Sequence, residues 1–121
     1  MRPPWWDRYA LVAIVMGLAG CSALGLGRKS LYVRLQSEDD QVRIAAAVEA
    51  GRTGDRGAAA YLVELLADDA PAVRLFAVEA LRRITGQALG YRWYADEASR
   101  RGAIGRWRRW LEASVAGEDP G

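Results

Sequence analysis

The sequence lacks histidine altogether and contains a single cysteine, Cys21. Histidine is the side chain whose ordinary pKa lies near neutrality, so its absence excludes Ser-His and Cys-His catalytic pairs and zinc sites built on histidine. A single cysteine excludes a disulfide within the chain. We therefore expect no catalytic residue, no bound metal and no cofactor.

A large excess of charge of one sign is also missing. Lys and Arg number 17 against 15 Asp and Glu, which gives a formal net charge of +2. That balance does not require nucleic acid as a partner, and we expect none. The length of 121 residues, with 51% hydrophobic and 26% charged side chains, fits one globular domain.

Residues 10–27, near the amino terminus, contain no charged side chain. The first part of this run, ALVAIVMGLA, has the length of the apolar core of a signal peptide. Leu18, Ala19, Gly20 and Cys21 then place a branched apolar residue and two small residues before the cysteine. These four residues resemble the lipobox of bacterial lipoproteins.

The lipobox resemblance implies cleavage before Cys21, acylation of this residue, and anchoring in a membrane of the bacterial cell envelope. Two or more acyl chains anchor firmly where one is marginal, because each buried methylene contributes about 0.8 kcal/mol. The expected divisions are a signal peptide, residues 1–20, and a lipidated linker, residues 21–29. Ser22 after the cysteine is compatible with sorting to the outer membrane, on its periplasmic face.

Two other interpretations of this segment stay open. Eighteen uncharged residues just suffice for an uncleaved membrane helix, although four glycines weaken the helix. In that case the arginine-rich carboxyl-terminal helix could meet acidic lipid or nucleic acid on the cytoplasmic side. The segment could also be a buried core helix that happens to contain a cysteine.

Residues 31–86 repeat with a period of 31 residues. Apolar residues recur three and four positions apart in each unit, which is helical spacing. The aligned pairs are Leu31 and Leu62, Leu35 and Leu66, Val42 and Val73, Arg43 and Arg74, Ile44 and Leu75, Ala46 and Ala77, Ala50 and Leu81. In the first unit this spacing is given by Val42, Ala46, Val48 or Glu49, and Ala50. The next two helices have expected buried stripes of Ala58, Leu62, Leu65 and Leu66, and of Val73, Ala77, Ala80, Leu81 and Ile84.

The repeated motif D-x-V-R-x-x-A, followed by a Gly/Asp turn and L-x-x-L-L-x-D, resembles the short bacterial kind of HEAT repeat. Its positions are Asp40, Val42, Arg43, Ala46, Gly54, Asp55, Leu62, Leu65, Leu66 and Asp68, and it begins again at Val73, Arg74, Ala77 and Leu81. The resemblance implies an all-α fold, a short α-solenoid of antiparallel helix pairs with about two to three repeats. This domain would cover residues 30–115, before a flexible tail at 116–121.

Turn and cap residues fit this arrangement. Ser37 and Asp68 are candidate N-caps, Pro71 suits a first helical turn, and Gly86 would end the helix that follows. The acidic turns Glu38-Asp39-Asp40 and Asp68-Asp69 precede helices in register, where negative charge complements the helix dipole. We expect these acids to be structural, paired with Arg43 and Arg74, rather than catalytic or calcium-binding.

After Gly86 the period breaks at an insertion, LGYRWYAD, from Leu89 to Asp96. An offset of 45 places Trp107 over Leu62, which predicts a displaced last helix capped by Asp96 or Ser99. Large aromatic side chains would there compensate for a short core, because each buries roughly 150–250 Å².

Candidate partner-binding residues lie in and after this insertion. They are Tyr91, Arg92, Trp93, Tyr94, Arg101 and Arg108. Insertions in repeat proteins form loops on one face, and exposed aromatic side chains beside arginine are typical interface anchors. The alternative is that the rings complete the core and that the arginines form a solvated face.

The expected function is non-catalytic: a membrane-tethered module for protein interaction or scaffolding, with an unknown protein partner. A different class stays open, since some short HEAT-like proteins resemble subunits of phycobilin-attaching lyases. In that case the chain would be an accessory subunit, because none of its residues carries the lyase chemistry.

Overall fold

The computed structural model describes residues 30–117. Residues 31–117 belong to one compact unit. The predicted signal peptide, the lipobox with Cys21, the linker up to residue 29 and the tail residues 118–121 lie outside the described residues. Their assignments therefore stay predictions.

Helices and turns make up the whole described part, which contains no β-strand. Residues 30–35 are helical and are called α1. The later elements are α2 (Asp40–Thr53), a 3-10 helix (Arg56–Ala58), α3 (Ala59–Leu65), α4 (Pro71–Thr85) and α5 (Glu97–Val115). The predicted all-α class is thus confirmed.

The two acidic turns begin α2 and α4, but the caps lie two residues later than the sequence suggested. Asp39 is the N-cap of α2, and its carboxylate accepts the Gln41 N–H at 2.9 Å. Ser37 instead accepts the Asp39 N–H. At α4, Ala70 occupies the N-cap position and donates its N–H to Asp68 at 3.0 Å. Both predicted caps therefore stabilise the turn that precedes the helix.

The helices pack in two layers. α2 packs against α4 in one layer, while α3 packs against α4 and α5. α1 lies beside α3, since the rings of Tyr32 and Tyr61 stack with centroids 5.0 Å apart. At buried Gly51 in α2, an added Cβ would lie 3.0 Å from the Cα of Ala80 in α4. The close approach of α2 and α4 thus depends on small residues.

A continuous apolar core joins these layers. Every residue of the two predicted stripes from Ala58 to Ile84 is buried. In the first unit Ala46 and Ala50 are buried, whereas Val48 is 44% exposed because it faces away from α4. Trp107 of α5 is also fully buried, while Trp110 is half-buried and packs edge-to-face against it at 5.6 Å. The tryptophans therefore complete the end of the core, as predicted.

The last helix runs in an unexpected direction. Its start lies near the start of α4, where Arg74 Nε donates to the Trp93 carbonyl at 3.1 Å. Trp107, ten residues into α5, reaches the carbonyl of Ala88 beyond the end of α4 at 3.1 Å. The two helices therefore run parallel, whereas α3, which leads into α4 through a short turn, runs opposite to both.

Because α5 runs parallel to α4, the alignment of α5 with α3 at an offset of 45 residues does not hold in the structure. A displaced copy of α3 would run parallel to α3, but α5 runs antiparallel to it. The insertion carries the chain back across the length of α4 before α5 begins, so Trp107 and Leu62 share a sequence pattern without sharing a place in the fold. Repeat geometry holds through α4, and α5 forms a distinct end.

Candidate functional site

Arg43, in the first turn of α2, links one repeat to the next. Its Nη1 donates to the carbonyls of Ser37 and Glu38 in the preceding turn, at 2.7 and 2.9 Å. Its Nε lies 2.9 Å from the carboxylate of Asp68, in the turn before α4. Both charged side chains are mostly shielded, with 15% and 12% exposure, so the pair fixes two neighbouring turns against each other.

Arg74 occupies the equivalent position in α4 and is itself buried. Its Nη1 donates to the carbonyls of Asp68 and Asp69 at 2.8 and 3.0 Å, in the pattern of the preceding repeat. Its Nε, however, donates to the Trp93 carbonyl at 3.1 Å. The segment Leu89–Asp96, here called the aromatic loop, thus supplies the acceptor that the next acidic turn would provide, and it closes the repeat series.

Two arginines of α5 hold the ends of the aromatic loop. Arg106 Nε donates to the carbonyl of Leu89 at 2.8 Å. Arg100 Nε donates to the carbonyl of Ala95 at 3.1 Å. Together with the contact between Arg74 and Trp93, these bonds fix the loop backbone in one conformation. Part of the basic run in α5 is therefore structural.

Tyr91 lies on the inner side of the aromatic loop with 4% exposure. Its hydroxyl donates to the Leu66 carbonyl at the end of α3, at 2.6 Å. Burial raises the pKa of Tyr91, and the nearby positive charges of Arg74 and Arg100 act in the opposite direction. Among the predicted partner-binding residues, Tyr91 therefore belongs to the core and does not contribute to an exposed surface.

The outer side of the aromatic loop carries the exposed candidates. Tyr94 is 67% exposed, Arg92 is exposed, and Trp93 is partly exposed with its ring edge-to-face against Tyr94 at 5.4 Å. They border an open groove of about 370 Å³ along α4. Glu79 and Arg82, joined by an exposed ion pair at 3.0 Å, lie on the α4 side of this groove.

Arg101 and Arg108 are exposed on α5 but do not line the groove of the aromatic loop. Arg101 pairs with Glu97 at 2.8 Å, and Arg108 lies 3.8 Å from Glu64. Exposed pairs of this kind contribute at most about 1 kcal/mol. The structure thus separates the predicted site into the outer side of the aromatic loop and two solvated arginines.

Within residues 30–117 no group of three or more Cys, Asp and Glu side chains could hold a metal ion. No helix in this range is long and apolar enough to cross a bilayer. Sequence reasoning missed the contact from Arg74 to Trp93, because a carbonyl acceptor leaves no signature in residue identity.

Comparison with known proteins identifies the repeats. A family profile described as HEAT repeats matches residues 29–92, more than half of the chain, and the match ends inside the aromatic loop. No curated protein and no solved structure matches the chain. HEAT repeats suggest a module for protein interaction or scaffolding, and the fold is typically non-catalytic. On its sequence motif, its stacked helices and this match, the chain belongs to the HEAT repeat family.

Proposed function

We propose that this chain is a non-catalytic protein-interaction module that presents the outer side of the aromatic loop to another envelope protein. The observation that supports this most is the combination of a fixed backbone and exposed side chains. Arg92, Trp93 and Tyr94 lie on a loop held through Arg74 and Arg106. A loop that is already ordered loses little conformational entropy on binding, which favours affinity.

The chemistry of this surface suits a protein partner. Aromatic and arginine side chains are the usual anchors of protein interfaces, because they combine a large apolar area with directed polar groups. Tyr94 and Trp93 provide adjoining rings, and Arg92 provides a guanidinium beside them. The groove along α4 is open to solvent, which suits a protein segment better than an enclosed small molecule.

Capture of partners by crosslinking in native envelopes tests this function. We expect the double variant Arg92→Ala and Tyr94→Ala to lose a partner that the native chain captures. A matched control, Arg109→Ala with Phe76→Ala, removes one exposed arginine from α5 and one partly exposed ring from α4. Unchanged capture by the loop variant would exclude the aromatic loop as the binding face, and bilin attachment by a purified mixture would overturn the non-catalytic assignment.

We also propose that acylated Cys21 tethers the module to the membrane. The support is the sequence LAGC at the end of an uncharged run, in a chain with no other cysteine. Mass spectrometry of the native protein should show loss of residues 1–20 and the added mass of acyl chains. Cys21→Ser should release the protein from the membrane without unfolding it, whereas an intact Met1 with an unmodified Cys21 would refute the tether.

A further inference from the structure

Acidic side chains outnumber arginines at one edge of the solenoid, and arginines outnumber acidic side chains at the other. The acidic edge consists of the turns that begin α2, α4 and α5, and the basic edge consists of the last turns of α2 and α4 and the start of the 3-10 helix. The acidic edge carries Glu38, Asp39, Asp40, Asp68, Asp69 and Asp96. The basic edge carries Arg52, Arg56, Arg82 and Arg83.

Internal contacts account for the acidic edge. Asp39 and Asp96 cap helices, and Asp68 pairs with Arg43. Negative charge near helix starts also complements the helix dipole. Asp39, Asp68 and Asp96 therefore have structural roles, and the helix starts favour the negative charge of the other three residues.

The basic edge is explained only in part. Arginines in the last turns of α2 and α4 complement the dipole, but Arg56 opens the helical segment that leads into α3, where the dipole disfavours a cation. Within the described residues, Arg52, Arg56 and Arg83 have no ion-pair partner. All three are exposed.

The acidic groups near the basic edge are fewer than its arginines. Asp55 accepts the Gly57 N–H at 3.0 Å and the Tyr32 hydroxyl at 3.1 Å. Glu79 forms its ion pair with Arg82. Asp55 and Glu79 carry two negative charges against the four positive charges of Arg52, Arg56, Arg82 and Arg83, so the basic edge keeps a net positive charge.

The chain enters the solenoid at this same edge. Tyr32 in α1 donates to Asp55 in the turn after α2, while the end of α1 leads to the acidic turn before α2. Arg28 and Lys29 lie immediately upstream in the sequence, and Cys21 precedes Leu31 by ten residues. Ten residues span at most about 35 Å, which exceeds the length of α2, so an anchor at Cys21 leaves both edges within reach of the bilayer and their charge decides which one faces it.

We infer that the basic edge rests on anionic phospholipid headgroups when Cys21 is anchored, and that the acidic edge faces away from the membrane. The inference rests on the proposed lipid tether. α2 has 14 residues and separates the two edges by about 20 Å. This distance exceeds the Debye length of about 8 Å at physiological ionic strength, so the field of the membrane attracts Arg52, Arg56 and Arg83 without repelling the acidic edge strongly.

Site-specific fluorescence in vesicles tests the orientation with the full-length acylated protein. Because the only native cysteine is Cys21, a single introduced cysteine is the only free thiol. Thr53→Cys places a label at the basic edge and Gln41→Cys places one at the acidic edge, both at exposed ends of α2. In phosphatidylglycerol vesicles with spin-labelled headgroups, we expect strong quenching at position 53 and little at position 41.

Variants that lack two arginines test whether anionic headgroups cause this orientation. Arg56→Gln with Arg83→Gln should lower quenching at position 53 to the level seen in phosphatidylcholine vesicles. Each arginine near an anionic surface contributes about fivefold to surface association, equivalent to about 1 kcal/mol. The control Arg101→Gln with Arg108→Gln removes the same formal charge from α5 and should leave the quenching difference intact.

The remaining outcomes overturn the inference in distinguishable ways. Equal quenching of the two labels in an acylated protein would refute the orientation and leave the tether standing. A difference that persists in neutral vesicles would refute headgroup recognition, and an orientation present only in native envelopes would assign the basic edge to a protein partner. An unacylated Cys21 would overturn the tether and the orientation together.

Discussion

Tyr91→Phe is the sharpest test of how the aromatic loop is held. The substitution removes one oxygen and leaves the ring in place. The Tyr91 hydroxyl donates to the Leu66 carbonyl at 2.6 Å, and the side chain is only 4% exposed. The last carbonyls of a helix have no partner within the helix, so this carbonyl depends on an external donor. The variant therefore isolates one buried hydrogen bond between the loop and the repeats.

The expected loss follows from the buried acceptor. Removing one partner of a buried hydrogen bond costs about 1–3 kcal/mol, because the remaining group keeps its desolvation penalty. For a domain of this size, each kcal/mol lowers Tm by roughly 4–8 °C. Tyr94→Phe is the matched control, since Tyr94 is 67% exposed in the same loop and should change stability little.

Urea unfolding of the full-length protein, followed by far-UV circular dichroism, measures both variants. The pH dependence adds an independent readout, because burial raises the pKa of Tyr91 in the folded state. Its contribution is complete below the unfolded pKa of about 10 and is lost as pH rises through the folded value. Tyr91→Phe should flatten this alkaline decline. Equal stability of Tyr91→Phe and the native chain, with an unchanged alkaline decline, would refute the buried contact.

Three further predictions concern the packing of the repeats and the start of α5. Gly51→Leu should destabilise the fold by about 1–3 kcal/mol or more in urea unfolding, because a Cβ already meets Ala80 at 3.0 Å. Arg43→Met should cost about 3–5 kcal/mol by the same assay, since it leaves the shielded Asp68 carboxylate without its cation, and Arg43→Lys should restore only part of the loss. The Ser99 N–H lowers the pKa of Asp96, so this cap should stabilise the fold above the unfolded pKa and weaken as pH falls through the folded value. In Asp96→Asn, the urea midpoint should no longer show this decrease in stability at low pH, as measured by urea unfolding across a pH series.

Much of the repeat could be predicted because its signal is periodic. Apolar spacing of three and four residues, repeated after 31, locates the buried faces of α3 and α4, and the glycine at position 86 ends α4 with φ of 77°. Caps were less predictable, because Ser37 and Asp68 could serve either a helix or the turn before it. Only the local backbone conformation decides between these two uses.

The candidate site could also be predicted from the sequence only in part. The unusual composition of the aromatic loop identified the segment, but not which of its side chains lie outside. Tyr91 and Tyr94 are both tyrosines of one loop, yet one is buried against Leu66 and the other faces solvent. That difference depends on contacts between residues far apart in the chain.

By itself the sequence determined the helical class, the repeat period, the buried stripes and the single cysteine behind the proposed tether, because each of these depends on residue type and local spacing. The tertiary structure alone decided that α5 runs parallel to α4, that the Trp93 carbonyl replaces an acidic side chain beside Arg74, and that the aromatic loop has an inner and an outer side. The physical reason is that every residue has a backbone carbonyl and that helix direction does not depend on residue type. These features are therefore determined only when segments far apart in the sequence pack together.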